Sequence, residues 1–144
     1  MGQSISDARA PQARPSGRRD RWLVAAAVLA IVFGLATIRA GARVLFGVPD
    51  AVAAAGNYVP FVLWFNFAAG FLYVIAGVGF WLHRRWGSVL AAAIAAATLV
   101  VFAAFALHIV TGGAWEPRTL AAMTLRSAVW IGLALVAARR IPKN

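Results

Sequence analysis

Residues 58–110 hold two apolar runs of equal length. The first, YVPFVLWFNFAAGFLYVIAGVGFWL, covers residues 58–82, and the second, WGSVLAAAIAAATLVVFAAFALHIV, covers residues 86–110. The three residues His83-Arg84-Arg85 separate them. A helix needs about 20 apolar residues to cross a hydrocarbon layer about 30 Å thick, and an open strand cannot satisfy its backbone polar groups in lipid. This stretch therefore predicts two transmembrane helices joined by a short basic turn.

Two further apolar runs flank this stretch, at residues 22–45 and 119–138. None of the four runs shows the alternation of about ten residues that a membrane-spanning β-strand requires. The sequence therefore predicts an all-α fold over residues 22–140. We expect a four-helix transmembrane bundle with up-down-up-down topology.

Residues 1–21 differ from the rest of the chain, because they are rich in Arg, Pro, Ser and Gly and poor in apolar residues. Such a segment buries too little apolar surface to offset the entropy of ordering, so we expect a disordered basic tail. A basic start, an apolar run and the sequence Ala40-Gly41-Ala42 also resemble a cleavable signal peptide. Arg39 directly precedes that site, and cleavage would leave an odd number of helices. Retention as the first span is our interpretation, with cleavage as the open alternative.

The composition favours lipid as the solvent for most of the chain. Hydrophobic residues make up 62% of the sequence and charged residues 12%, whereas a soluble domain has about 25% charged residues. The net charge of +10 would favour nucleic acid as a partner, but most arginines lie at the ends of apolar runs instead of on one polar face. We therefore expect the bilayer, and not nucleic acid, as the partner. The absence of cysteine excludes disulfides and thiolate chemistry.

The arginines also predict an orientation. An up-down bundle places three basic segments on one side of the membrane: the tail, the loop with Arg84 and Arg85, and the C-terminus with Arg139 and Arg140. The positive-inside rule makes that side cytoplasmic. Both termini are thus predicted to be cytoplasmic.

Polar residues inside the spans or at their ends are the candidates for a functional site, because such residues are costly in a bilayer. Each apolar run contributes at least one of them to the outer half of the membrane, whereas the cytoplasmic half is almost entirely apolar. We predict a ligand-binding pocket in that outer half. Its candidate residues are Arg126, Asn66, His108, Arg39, Arg43, Glu116 and Arg118.

Arg126 is the sharpest candidate, since it lies about eight residues into the fourth run and its guanidinium cannot lose its proton. The nearest acid along that helix, Glu116, is about 15 Å away on the axis. Its partner must therefore come from another helix, with Asn66 and helix carbonyls as protein candidates, or from a ligand. Both alternatives stay open: a structural Arg between the second and fourth helices, or a site for an anion or polar head group.

His108 has three open interpretations: a structural role at the membrane interface, proton transfer, and contact with a quinone. His83, the other histidine, is predicted at the opposite face, which rules out haem ligation by the pair. One His without nearby carboxylates is a poor metal site, and no GxSxG, HExxH or Walker motif occurs. We therefore predict no metal ligands and no catalytic residues, and a binding role is favoured over an enzymatic one.

Small residues mark possible sites of close helix packing. The third run is dominated by Ala, and the pairs Gly34/Gly41 and Gly70/Gly77 are each spaced by seven residues. These surfaces predict either packing inside the bundle or a seam between copies. A homo-oligomer or a larger membrane complex is the partner hypothesis that follows.

Two segments carry a resemblance to known proteins: NYVPFVLWFNF at residues 57–67, continuing with GFLY at 70–73, and AAMTLR at 121–126. They resemble a group of small, uncharacterised bacterial inner-membrane proteins. In overall shape, residues 22–140 also resemble the DoxX-like four-helix proteins. The resemblance implies a bacterial cytoplasmic membrane and a quinone as candidate cofactor. Any thiol-dependent step of that family is absent here, because the chain has no cysteine.

Three functional hypotheses follow. The first is a small binding or accessory subunit whose site is the outer polar pocket. The second is a DoxX-like, quinone-linked redox component that uses Arg126, Asn66 and His108. The third is a small oligomeric transporter, which is disfavoured because a transport path needs polar groups at every depth and the cytoplasmic half of the spans lacks them.

Overall fold

The computed structural model describes residues 20–141, and within that range it contains five α-helices and no strand. This confirms the predicted all-α fold. The predicted tail at 1–21 lies outside the described residues except for Asp20 and Arg21. The helices are α1 (Arg21–Leu45), α2 (Pro49–Ala55), α3 (Pro60–Trp81), α4 (Arg85–Val110) and α5 (Pro117–Arg140).

Four of these helices, α1, α3, α4 and α5, are long and apolar enough to cross a membrane. They contain 22 to 26 residues each, more than the approximately 20 that a span requires. The chain is therefore a multi-pass integral membrane protein whose apolar helix surfaces contact lipid. The spans match the expected runs to within two residues. Pro60 and Pro117 set two of the starts, because proline is favoured in the first helical turn.

Helix α2 is a short helix that the sequence analysis did not predict. Pro49 begins it, Asp50 lies in its first turn and Gly56 follows it with φ 57°. A proline at the start and a glycine just past the end are common signals of helix boundaries. That signal was present, but seven residues are too few for hydrophobic periodicity to reveal.

Contacts between helix ends define the two ends of the bundle. Asp20 accepts a hydrogen bond from the Trp22 backbone N–H at 3.0 Å and pairs with Arg140 at 3.3 Å, so the start of α1 meets the end of α5. We call this the termini end. At the other end Arg118, in the first turn of α5, donates to the Ala54 carbonyl of α2 at 3.2 Å. We call this the α2 end.

Helices α1 and α3 form the most extensive helix pair, and glycines bring their backbones together. A Cβ placed on Gly34 would lie 2.8 Å from the Gly70 carbonyl oxygen, and one on Gly77 would lie 3.0 Å from the Ala27 carbonyl oxygen. The glycines thus serve packing inside the chain, which is one of the two roles left open above. Helix α1 continues without a break through the Ala40-Gly41-Ala42 segment.

Helix α4 packs mainly against α3 and α5, and most of its alanines face outward. Ala91 and Ala95 are buried. The exposed alanines of this helix are Ala92, Ala93, Ala96, Ala97, Ala103, Ala104 and Ala106. The helix is therefore not enclosed by the bundle, and its small side chains present a smooth surface toward lipid.

The α1–α3 contact can be tested with two glycines of opposite surroundings. Gly34→Ala should lower the free energy of unfolding by about 1–3 kcal/mol, because the new methyl meets backbone atoms that cannot move aside. Gly132→Ala on α5 is the matched control, since nothing lies within 4 Å of its Cβ position, and alanine favours a helix over glycine by up to about 1 kcal/mol. Unfolding in SDS followed by circular dichroism measures both. Equal effects at the two positions would contradict the close packing described for α1 and α3.

Candidate functional site

An open cavity of about 280 Å³ lies at the α2 end, lined by α1, α2, α5, the turn before α3 and the first part of α3. Its wall is mostly aliphatic. The polar residues that line it are Thr37, Tyr58, Asn66, Arg118, Thr119 and Arg126. It therefore combines an apolar wall with a few polar groups, as small-molecule sites commonly do.

Among the α5 residues that line this cavity, Arg126 lies farthest from the start of the helix. It is the tenth residue of α5, about 13 Å along the axis from Pro117, and it is 8% exposed. Nη1 donates a hydrogen bond to the Met123 sulfur at 3.8 Å, the Tyr73 hydroxyl lies beside the guanidinium, and Nε is buried without a partner among the described residues. The guanidinium carbon lies 5.9 Å from the centre of the Phe33 ring.

No carboxylate neutralises this charge within residues 20–141. The ion pair found in that range joins Asp20 and Arg140 at the termini end. Glu116, the nearest acid along α5, instead accepts a hydrogen bond from the Asn57 backbone N–H at 2.9 Å. Arg126 is thus a buried cation whose neighbours are a thioether, the Tyr73 hydroxyl, aromatic rings and a cavity.

Asn66 faces the same cavity from α3. Its Oδ1 is buried and has no hydrogen-bond partner in the described part of the chain. The amide offers both an acceptor and two donors. Asn66 and Arg126, which the sequence pointed to together, line one cavity, although no hydrogen bond joins them.

A cluster of polar groups, formed by Tyr73, Thr98 and Trp130, adjoins Arg126 but does not line the cavity. It was not predicted from the sequence. The Tyr73 hydroxyl neighbours Arg126, Thr98 and Trp130, and the Tyr73 and Trp130 ring centres are 4.5 Å apart. The Tyr73 and Thr98 hydroxyls and the Trp130 indole nitrogen are all buried without a hydrogen-bond partner among residues 20–141. Tyr73 follows Asn66 by seven residues, two helical turns on the same face, and that spacing could have indicated it.

The rim of the cavity is held by the loop before α5. Besides the Arg118 contact with α2, the Glu116 carboxylate fits against Gly56, where a Cβ would lie 2.6 Å from Oε1. Gly56 has φ 57°, a conformation that favours glycine. Glu116 and Arg118 therefore fasten the α2 segment over the cavity, and Arg118 also lines it.

The remaining predicted site residues lie elsewhere. His108 donates from Nε2 to the Ala114 carbonyl at 3.1 Å and packs edge-on against Phe61, so it braces the loop between α4 and α5. Arg39 and Arg43 are exposed on α1 and do not line the cavity. Of the seven predicted residues, the structure brings three together at the cavity: Arg126, Asn66 and Arg118. Residues 20–141 hold no group of three His, Cys, Asp or Glu side chains that could bind a metal.

Comparison with protein-family models, with curated proteins and with solved structures finds no match for this chain. The fold and the cavity define a class: a multi-pass membrane protein with a cation buried between its helices.

The free energy of unfolding of Arg126 variants can distinguish a ligand-binding role from a structural one. If its partner is a ligand, Arg126→Leu should raise the free energy of unfolding of the ligand-free protein by about 1–3 kcal/mol, because burying an unpaired guanidinium is costly. Arg39→Leu, an exposed arginine near the same end, is the control and should change stability little. Thermal unfolding in detergent measures both. A loss of stability confined to Arg126→Leu would instead show that Arg126 holds the helices together.

Proposed function

We propose that this chain is a small binding or accessory subunit of the bacterial cytoplasmic membrane, and that the cavity at the α2 end binds a ligand with a negatively charged group. In this proposal the four spans run up-down-up-down and both termini are cytoplasmic. The basic residues at the termini end support that orientation through the positive-inside rule. The α2 end, and with it the cavity, then faces outward.

The buried Arg126 carries the proposal. An arginine in the middle of a span costs at least about 2.5–3.5 kcal/mol, and a purely structural arginine offsets that cost with carboxylates or carbonyls. Among residues 20–141, Arg126 instead has a thioether and a neutral tyrosine hydroxyl beside it, and an Nε without a partner. An anion in the cavity would supply the missing acceptor, and a guanidinium binds carboxylate or phosphate through two parallel hydrogen bonds.

The other polar groups suit the same ligand. Arg118 stands eight residues before Arg126 on α5, about 12 Å along the axis, so the cavity has one cation at its rim and one at its depth. Asn66 adds amide donors from the opposite wall. Within residues 20–141, no acidic side chain lines the cavity to compete for these groups.

Inorganic phosphate is the simplest probe of an anion site. The purified protein should be stabilised by phosphate at constant ionic strength, because a ligand that binds only the folded state adds RT ln(1 + [L]/Kd) to its stability. Arg126→Gln should abolish the stabilisation, whereas the exposed Arg39→Gln should keep it. Thermal unfolding with phosphate replacing chloride provides the measurement. Equal stabilisation of all three proteins would refute the site.

A quinone is a second candidate ligand, favoured by the group behind the cavity. Arg126 Nε and Trp130 Nε1 are buried donors without partners in the described part of the chain. The Phe33 ring lies near the guanidinium, and the Tyr73 ring lies between those of Phe33 and Trp130 in a chain of ring contacts. A quinone presents carbonyl acceptors on an apolar ring, which matches donors set among aromatic side chains. The DoxX-like resemblance of residues 22–140 favours the same ligand.

Quinone binding has its own test. Protein purified from quinone-containing membranes should carry quinone, detected by ultraviolet absorbance and mass spectrometry after extraction. Trp130→Phe keeps an aromatic ring but removes the N–H donor, so it should reduce the quinone content several-fold. Wild-type protein without quinone would exclude this candidate and leave the anion site standing.

A further inference from the structure

A second hollow lies on the seam between α1 and α5. It has a volume of about 370 Å³ and lies in the half of the bundle nearer the termini end. Its lining residues are all apolar: Trp22, Ala25, Ala26 and Leu29 from α1, and Ala128, Val129, Gly132, Leu133 and Val136 from α5. We call it the α1–α5 groove.

The cavity and the groove use the same two helices. On α5 the deepest residue of the cavity is Arg126, and the groove begins two residues later at Ala128. On α1 the cavity reaches Thr37 and the groove begins at Leu29. The contact between α1 and α5 therefore has a cationic hollow toward the α2 end and an apolar hollow toward the termini end, and Arg126 is the cavity residue on α5 that lies nearest the groove in sequence.

We propose that the ligand of the cavity is an anionic phospholipid, with its phosphate at Arg126 and one acyl chain in the α1–α5 groove. This inference rests on the proposed anion site and names its ligand class. A phospholipid has a charged head group followed by an apolar chain, and these match the cationic cavity and the apolar groove in that order. The groove extends along α5 from Ala128 to Val136, about 12 Å, which suits a chain lying along the helix.

The charges select an anionic lipid over a zwitterionic one. Arg118 and Arg126 both line the head-group cavity, and its described lining residues include no carboxylate that would receive a choline group. A phosphodiester accepts two hydrogen bonds from a guanidinium. A zwitterionic head group would also bring a cation next to two arginines in a medium of low dielectric constant, where like charges repel strongly.

An apolar helix of another protein is the competing occupant of the groove. Such a helix would cover the apolar surface but would leave Arg126 without an acceptor unless it carried an acid at that depth. The lipid satisfies both parts of the seam at once and is already present as the solvent. It is therefore the occupant that the charge and the apolar lining favour together.

Gly132 makes the groove testable without disturbing the fold. It lines the groove, and nothing lies within 4 Å of its Cβ position. Gly132→Phe therefore fills the space of the acyl chain, whereas Gly132→Ala fills little of it and serves as the matched control. Circular dichroism and thermal unfolding establish that both variants remain folded.

The experiment titrates the full-length protein in detergent with phosphatidylglycerol and with phosphatidylcholine of identical chains, and native mass spectrometry reports binding. We expect wild type to bind phosphatidylglycerol at least ten-fold more tightly than phosphatidylcholine. Arg126→Gln should reduce that ratio to about one. Gly132→Phe should weaken phosphatidylglycerol binding about ten-fold, with Gly132→Ala unchanged, while the stabilisation by inorganic phosphate persists.

Other outcomes overturn the inference in distinguishable ways. Equal binding of the two lipids by wild type, or wild-type binding by Gly132→Phe, refutes the lipid assignment, and the proposed anion site survives if phosphate still stabilises in an Arg126-dependent manner. Loss of that phosphate effect as well refutes both. A protein dimer that lipid does not displace and that Gly132→Phe disrupts would assign the groove to a second copy of the chain.

Discussion

The close approach of α1 and α3 is the constraint on which the rest of the bundle depends. In lipid no hydrophobic force drives helices together, so association relies on van der Waals packing, which small residues improve by letting backbones approach. Gly34 and Gly70 provide this contact, because the Gly70 carbonyl oxygen leaves no space for a Cβ at position 34. Helix α1 is consequently committed to α3 and packs much less extensively on α5. The two hollows lie along that thinner α1–α5 contact, so the packing of one helix pair leaves room beside the other.

The same constraint explains where polar groups can persist. Most of the buried core consists of apolar side chains, with Leu23, Phe80 and Ala137 fully buried toward the termini end. Buried polar side chains concentrate nearer the α2 end and the middle of the spans, where Arg126, Tyr73 and Thr98 have atoms without a hydrogen-bond partner among the described residues. Since unsatisfied polar atoms are costly in a low-dielectric interior, a stability-optimised bundle would have apolar residues there. Their presence is the strongest physical argument that this region serves binding.

Length and hydropathy predicted the four long helices to within two residues, because crossing the hydrocarbon layer restricts both. They also indicated Arg126 and Asn66, since polar residues deep in a span stand out against apolar neighbours. The sequence could not place Arg39 or His108, because depth in the membrane does not determine which side of a helix faces the bundle. Thr98 and the α1–α5 contact were missed for the related reason that they depend on how helices are rotated against one another, whereas the two-turn spacing of Tyr73 from Asn66 could have indicated Tyr73. Helix α2 was not predicted because seven residues are too few to show a hydrophobic periodicity.

The depth of Arg126 constrains how any ligand must bind. A phosphate at the ordinary interfacial level would reach Arg118, which begins α5 and is exposed, but Arg126 lies about 12 Å deeper. In the proposed complex, a lipid bound at both levels would lie below its neighbours, and its chain would extend into the half of the bilayer that holds the α1–α5 groove. A small soluble anion would need no such groove. The apolar hollow farther along the same two helices is therefore the geometric feature that supports the proposed lipid over a soluble anion.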